Sequence, residues 1–247
     1  MYPYQAKENC LQGKVLLVTG AGDGIGKSAA MHYAKHGATV ILLGRTVNKL
    51  EQVYDDIVAK GYPEPAIIPL DMKGATAKHY QDMVTTIIEQ FKHLDGALLN
   101  ASILGELTPF TQINQQIWDD VMQVNLTAQL QLAQALIPAM VGDKPSSLVF
   151  TTSGVGNKGR AFWGPYSISK FATEGMMQVI ADEYEGSNLR TNAINPGGTK
   201  TKMRATAFPA EDKSQLPEPD DIMPAYLFLM SDDSIGINGQ RLDAQQH

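Results

Sequence analysis

Short apolar runs rich in β-branched residues recur along the chain: KVLLVT (14–19), ATVILL (38–43), AIIPL (66–70), DGALLN (95–100), SSLVFTT (146–152) and LRTNAIN (189–195). Longer stretches separate them, among them 46–60, 75–92, 116–141 and 166–185, where apolar positions fall at helical spacing. The runs are apolar nearly throughout and do not alternate with polar residues. Strands of that kind are buried on both faces, which predicts a parallel sheet covered by helices on each side. The expected class is therefore a doubly wound α/β domain. Such sheets bind ligands beyond the carboxyl ends of their strands, so residues that carry chemistry are expected just after the runs.

Length and charge narrow this picture. The 247 residues suit one large domain, expected to span 1–247, and no internal repeat or low-complexity tract interrupts it. A formal net charge of −6 argues against a nucleic-acid partner held by phosphate neutralisation. Cys10 is the single cysteine, so no internal disulfide can form, in keeping with a reducing compartment. The segment MYPYQAKENCLQGK lacks a basic stretch followed by an apolar one, and no run of eighteen apolar residues occurs. A cytoplasmic protein with no membrane segment is expected.

The first strand runs into VTGAGDGIGKS (18–28), where Gly20, Gly24 and Gly26 have the spacing G-x-x-x-G-x-G. A loop that presses main-chain N–H groups against a pyrophosphate needs backbone conformations and close approaches closed to larger residues. The following helix would offer its free N–H groups and positive dipole end to the same anion. A tight structural turn is the plainer alternative, but the position between a strand and IGKSAAMHYAKHG favours the phosphate cradle. Strand two ends in LLGRT, which puts Gly44 and Arg45 where an adenine ribose would lie. The carboxylate that would hold the 2′-hydroxyl of NAD is missing. Arginine matches a 2′-phosphate in charge and fork geometry, so NADP(H) is favoured over NAD(H). Otherwise Arg45 is a solvated residue at a helix start.

A second pattern, YSISK, sets Tyr166 and Lys170 four residues apart, one helical turn on a shared face. A free phenol ionises near pH ~10, and bringing it about three units lower requires roughly 4 kcal/mol. One positive charge ~4 Å away supplies about that much at an effective dielectric of 20. The expectation is that Lys170 lowers the pKa of Tyr166 and makes it an acid/base usable near neutrality. Alone, Y-x-x-x-K is a weak signal, because most examples are surface helix pairs.

It does not stand alone. The succession T-G-x-x-x-G-x-G, Asn-Ala, Asn, Ser, Y-x-x-x-K and Pro-Gly resembles the short-chain dehydrogenase/reductase family over the whole chain. The resemblance implies a Rossmann-like seven-stranded parallel sheet of order 3-2-1-4-5-6-7 and an NAD(P)-dependent carbonyl reductase or alcohol dehydrogenase. It implies a catalytic tetrad of Asn125, Ser153, Tyr166 and Lys170. Tyr166 would exchange the proton with the substrate oxygen and Ser153 would hydrogen-bond that oxygen. Lys170 would tune Tyr166 and hold the nicotinamide ribose, and the backbone of Asn125 would place a water behind it. On the cofactor, the resemblance assigns Gly20, Gly22, Asp23, Gly24, Ile25 and Gly26 to the pyrophosphate loop and Arg45 to the adenine ribose. It gives Asp71 and Met72 to the adenine, and Asn100, Ala101 and Ser102 to the segment after strand four. Pro196, Gly197, Thr199 and Thr201 would hold the nicotinamide amide. Leu99, Ser102 and Thr199 depart from the residues usual in the family, and the glycine-rich tail that is common there is replaced by Gln-Gln-His. PLDMKGAT and DIMPAYLFLM are nearest to one bacterial oxidoreductase subgroup. Relatives pair through helices like 116–141 and 166–185, which implies a homodimer or homotetramer.

Other features point less far. His32 and His36 stand at i, i+4, but no third ligand accompanies them, so no metal is expected. The pairs Asp119–Asp120, Asp182–Glu183 and Asp232–Asp233 suit solvated faces or helix ends. Trp163 could wall a substrate pocket or simply pack. A short, polar substrate lid is expected over 198–217, with Met203 and Phe208 as its main apolar groups. An NAD(P)-using epimerase or dehydratase on the same fold remains a rival, as does a nucleotide-sensing module without catalysis.

Overall fold

The computed structural model describes residues 1–245; Gln246 and His247, part of the tail noted above, lie outside the described residues. Seven strands form one parallel sheet in the order β3-β2-β1-β4-β5-β6-β7. They are β1 Val15–Thr19, β2 Thr39–Gly44, β3 Ala66–Pro69, β4 Gly96–Leu99, β5 Ser146–Thr151, β6 Leu189–Asn195 and β7 Arg241–Asp243. The first six coincide with the apolar runs to within a residue at each end.

Side chains alternate along each strand, so one sheet feeds two cores. Val15, Leu17, Ile41, Leu43, Leu148 and Phe150 pack against α3 (Ala77–Phe91), α5 (Ala128–Met140) and α6 (Gly164–Glu183). Leu16, Val18, Val40, Leu42, Val149 and Ile194 meet α1 (Gly24–Lys35), α2 (Val47–Ala59) and α8 (Met223–Met230) on the opposite face. Both layers exclude water, and β1 to β4 are accordingly apolar almost throughout, whereas β5 and β6 bury Ser146, Ser147, Arg190, Thr191 and Asn192.

The stretch 116–141 departs from a single helix. It begins as α4 (Gln115–Met122), takes one π-helical turn over Gln123–Thr127 and continues as α5. Buried Asn125 sits inside that turn. Its Oδ1 accepts from Ile103 N at 2.8 Å, while Nδ2 donates to Ile103 O at 2.9 Å and to Ser169 Oγ at 3.1 Å. The side chain thus ties the segment after β4 to α6, and the extra residue in the turn carries it there. π turns inside α-helices are rare and frequently accompany functional sites.

Candidate active site

The carboxyl ends of β1 to β6 open into one cavity of about 480 Å³. Loops after these strands supply its walls, as the strand pattern requires. At its outer end the chain turns sharply after β1. Gly20 has φ +68°, in the left-handed region, and a Cβ on Gly26 would lie 2.2 Å from Gly20 O. Only glycine at 26 lets α1 start this close to the strand, with Gly24 and Ile25 of its first turn facing the cavity. A pyrophosphate cradle has this form.

Asp23 caps α1 by accepting from Gly24 N at 2.9 Å. Lys49 and Lys202 both donate to Asp23 Oδ2, at 2.6 and 2.9 Å, and hold its carboxyl down to about 2. Arg45 is exposed beside them and has no acidic partner among the described residues. Two carboxylates, Asp23 and Asp71, against two ammoniums and a guanidinium still leave this end net positive. Asp71 and Met72 line the same end, with Asp71 Oδ1 taking the amide of Lys73 at 3.0 Å. Asn100 and Ala101 form the floor: their amides donate to Thr19 Oγ1 at 2.9 and 3.0 Å, so a buried threonine fixes the turn out of β4. Glycine-loop geometry and positive charge together suit a phosphorylated dinucleotide.

The inner end is different in kind. Tyr166 (7% exposed) and Ser153 line the cavity, whereas Lys170 and Asn125 are wholly buried behind them. Pro165 at the start of α6 is compatible with helix initiation, and Tyr166 and Lys170 follow on one face. Lys170 Nζ lies 5.6 Å from the Tyr166 ring centroid and donates to Thr151 O at 2.8 Å. Burial pushes Tyr166 up to about 12, against the pull of the Ser153 and Ser102 hydroxyls, and pushes Lys170 down to about 8. This corrects the expectation that the ammonium lowers the phenol. Both groups have left water, and that desolvation is the leading cause of each shift.

The loop after β6 closes the third side. Pro196, Gly197, Thr199 and Thr201 line it, and Thr201 caps the short helix α7 (Lys202–Ala207), within the stretch expected to form a lid, by accepting from Arg204 N at 3.1 Å. Beyond α7, Phe208 packs on Trp163 with centroids 5.5 Å apart, and Trp163 meets Tyr166 edge-on at 5.9 Å. Arg204 lies over Phe208 at 3.8 Å and donates through Nε to Glu211 Oε2 at 2.7 Å. The segment after α7 thus lands on Trp163, the residue preceding α6. Trp163 both packs and lines the cavity.

All the residues assigned from the sequence to the nucleotide and the reaction gather around this cavity; Gly26, Asn125 and Lys170 support its wall without lining it. Sequence reasoning missed Lys49 and Lys202, which face the cavity beside Asp23, and Arg204 in α7. Lys49 stands four residues after Arg45, a spacing that could have disclosed it. His32 and His36 lie apart: His32 Nε2 faces Asp220 Oδ1 at 3.4 Å, and His36 Nδ1 is 2.8 Å from His32 O.

The profile of the short chain dehydrogenase family matches residues 14–212, and the chain belongs to that family of oxidoreductases. Within it, the chain is 52% identical over 242 residues to the oxidoreductase YciK of Escherichia coli K12, covering 98% of this chain and 96% of that one. A short chain dehydrogenase from Shigella flexneri solved with NADP superimposes with a TM-score of 0.95 at 51% identity, over 97% of this chain and all of that one. One from Escherichia coli CFT073 solved with NADPH gives the same score and identity over 98% and 100%.

Proposed function

We propose that this protein is an NADP(H)-dependent reductase of carbonyl compounds, working reversibly on secondary alcohols, with Tyr166 as the acid/base. The observation that carries the proposal is the burial of Tyr166 and Lys170, with half-buried Ser153 on the same wall, at one end of a cavity whose other end is a glycine cradle rimmed by Arg45, Lys49 and Lys202. The solved relatives bound to NADP and NADPH support the choice of cofactor. Arg45 would meet the 2′-phosphate, Gly20 to Gly26 the pyrophosphate, and Pro196 to Thr201 the nicotinamide amide. NADPH would supply the hydride.

The chain's own residues handle the proton. A phenol kept neutral by burial is ready at pH 7 to donate from Oη to a substrate oxygen, which supports the reductive direction. The Ser153 hydroxyl, at the same wall, would donate to that oxygen as negative charge develops on it. Lys170, with a pKa near 8, is mostly protonated at neutrality and would offset the phenolate left behind. Asn125 acts through position, holding Ile103 and Ser169 as described. Ile103, Leu104, Trp163, Met203 and Ala207 make the substrate side mainly apolar.

The test is an NADPH-oxidation screen over aldehydes and ketones with Tyr166→Phe as control. Turnover that needs Tyr166 supports the proposal. Substrate conversion without net NADPH consumption would favour the epimerase or dehydratase rival, and tight NADPH binding with no turnover a sensing role. Exposed Ile168, Phe171 and Val179 on α6 and Leu130 on α5 fit pairing with a second copy, which sedimentation would reveal.

A further inference from the structure

Three polar side chains of β7 and the residues just after it, Arg241, Asp243 and Gln245, reach towards the active site without lining the cavity. Their spacing by two places them on one side of the strand. The register sets Arg241 beside Ala193 and Asp243 beside Asn195, and Ala193 belongs to the core under α6. Leu242 and Ala244, between them, pack in the opposite core. The three therefore point to the face covered by the helix that bears Tyr166 and Lys170.

Each ends on a different wall of the site. Arg241 Nε donates to Glu174 Oε1 at 3.0 Å, and the same oxygen accepts from Thr152 Oγ1 at 2.7 Å, one residue before Ser153. Glu174 is itself one turn beyond Lys170 and nearly buried. Asp243 Oδ1 pairs with Arg241 Nη1 at 3.0 Å and accepts from Asn195 Nδ2 at 2.7 Å. Asn195 Oδ1 in turn accepts from Gly197 N at 3.2 Å. Gln245 Nε2 faces Pro196 O at 2.8 Å, Gly198 O at 3.0 Å and Thr199 Oγ1 at 3.3 Å. Two of those neighbours are carbonyls, which fixes the nitrogen, not the oxygen, of the amide towards the loop.

A separate feature agrees. Gly197 has φ +71°, and a Cβ there would lie 2.8 Å from Gln245 Cδ. The glycine makes room for the glutamine as well as for the turn. We infer that Arg241, Asp243 and Gln245 form a brace that sets the serine-bearing end of β5 and the loop 196–199 at a fixed separation, with Gln245 as the principal positioning residue of that loop. The inference deepens the proposed function, since it assigns these side chains the task of preorganising the nicotinamide end and the oxygen-binding serine.

The experiment reads the loop directly. Amide hydrogen exchange is followed on the protein without added nucleotide, for wild type, Gln245→Ala and Gln245→Glu. The glutamate keeps the shape but sets an acceptor against two carbonyls. Exchange across 197–200 is expected to quicken about 10-fold in both variants while the strands stay protected, the scale of one lost buried hydrogen bond. NADPH titration should show a matching loss of affinity of about 10-fold, and Arg241→Met should lower kcat more than it raises KM, with partial rescue by Arg241→Lys. Unchanged exchange at 197–200 in both Gln245 variants would overturn the brace, as would a uniform rise over the whole chain. Failure of the wild type to bind NADPH would count against the proposed function instead, because the exchange result is independent of nucleotide.

Discussion

The two ends of the cavity hold similar groups and treat them oppositely. At the outer end two lysines meet Asp23 in water, and their attraction holds its carboxyl down to about 2. At the inner end Lys170 faces Tyr166 out of water, and each is pushed towards its neutral form, to about 8 and about 12. Exposure keeps ionisation cheap, so the neighbour decides the shift; burial makes ionisation costly, so the environment decides it. On the proposed function, the outer end attracts an anion and the inner end keeps a proton in place until the reaction moves it.

Removing the proposed proton donor is the strongest way to break the comparison. Tyr166→Phe should lower NADPH turnover by about 10³-fold, within the range for a lost general acid, while NADPH affinity stays within a few-fold. Stopped-flow turnover and fluorescence titration measure the two. A comparable loss of affinity would mean that the two ends are not separable.

Lys170→Met should divide function from stability. Folding lowers the lysine pKa from 10.5 to about 8, so between those values the unfolded chain holds the extra proton and stability climbs with pH. Below pH 8 the native state carries the whole penalty, on the order of 3 kcal/mol. Methionine fills similar space without charge, although Thr151 O loses its donor at some cost. The variant should therefore unfold a few degrees higher than wild type at pH 7, lose the rise between pH 8 and 10.5, and turn over about 10²-fold more slowly. Thermal melts across that pH range decide it. At the other end, Arg45→Ala should cost NADPH affinity about 10- to 100-fold and leave NADH unchanged, the value of charge-assisted hydrogen bonds to one phosphate.

How much of this was legible in the sequence follows the same division. Strand positions and the glycine loop were readable because both rest on local rules, apolar runs of strand length and backbone geometry that only glycine permits, whereas the strand order came only with the family resemblance. The pairing of Tyr166 with Lys170 was readable from helical spacing. The direction of their pKa shifts was not, because desolvation depends on what covers the pair, and β5, α5 and the loop after β4 arrive from distant parts of the chain. The π turn at 123–127 was hidden for a related reason: one extra residue in a turn barely disturbs the apolar period, and only Asn125 in mid-helix marks it. Lys49 and Lys202 lie 26 and 179 residues from Asp23, and no motif joins them. Gln245 stood where a glycine-rich tail was the family habit, and its task emerges only when β7 is laid beside β6.

The smallest effect sharpens the comparison most. Asp23 puts a carboxylate where phosphates are expected, and the lysines it binds are exposed. Asparagine caps helices as well as aspartate does, so Asp23→Asn should preserve α1. It would also release Lys49 and Lys202 and remove one negative charge from the rim. NADPH should then bind about two- to three-fold more tightly at low salt, and the gain should vanish near 1 M salt, where screening reaches only ~3 Å. A gain that survives high salt would show that Asp23 acts by shape and not by charge. If affinity instead fell at every salt concentration, the carboxylate would be holding the lysines in place for the phosphate, and the outer end would be as preorganised as the inner one.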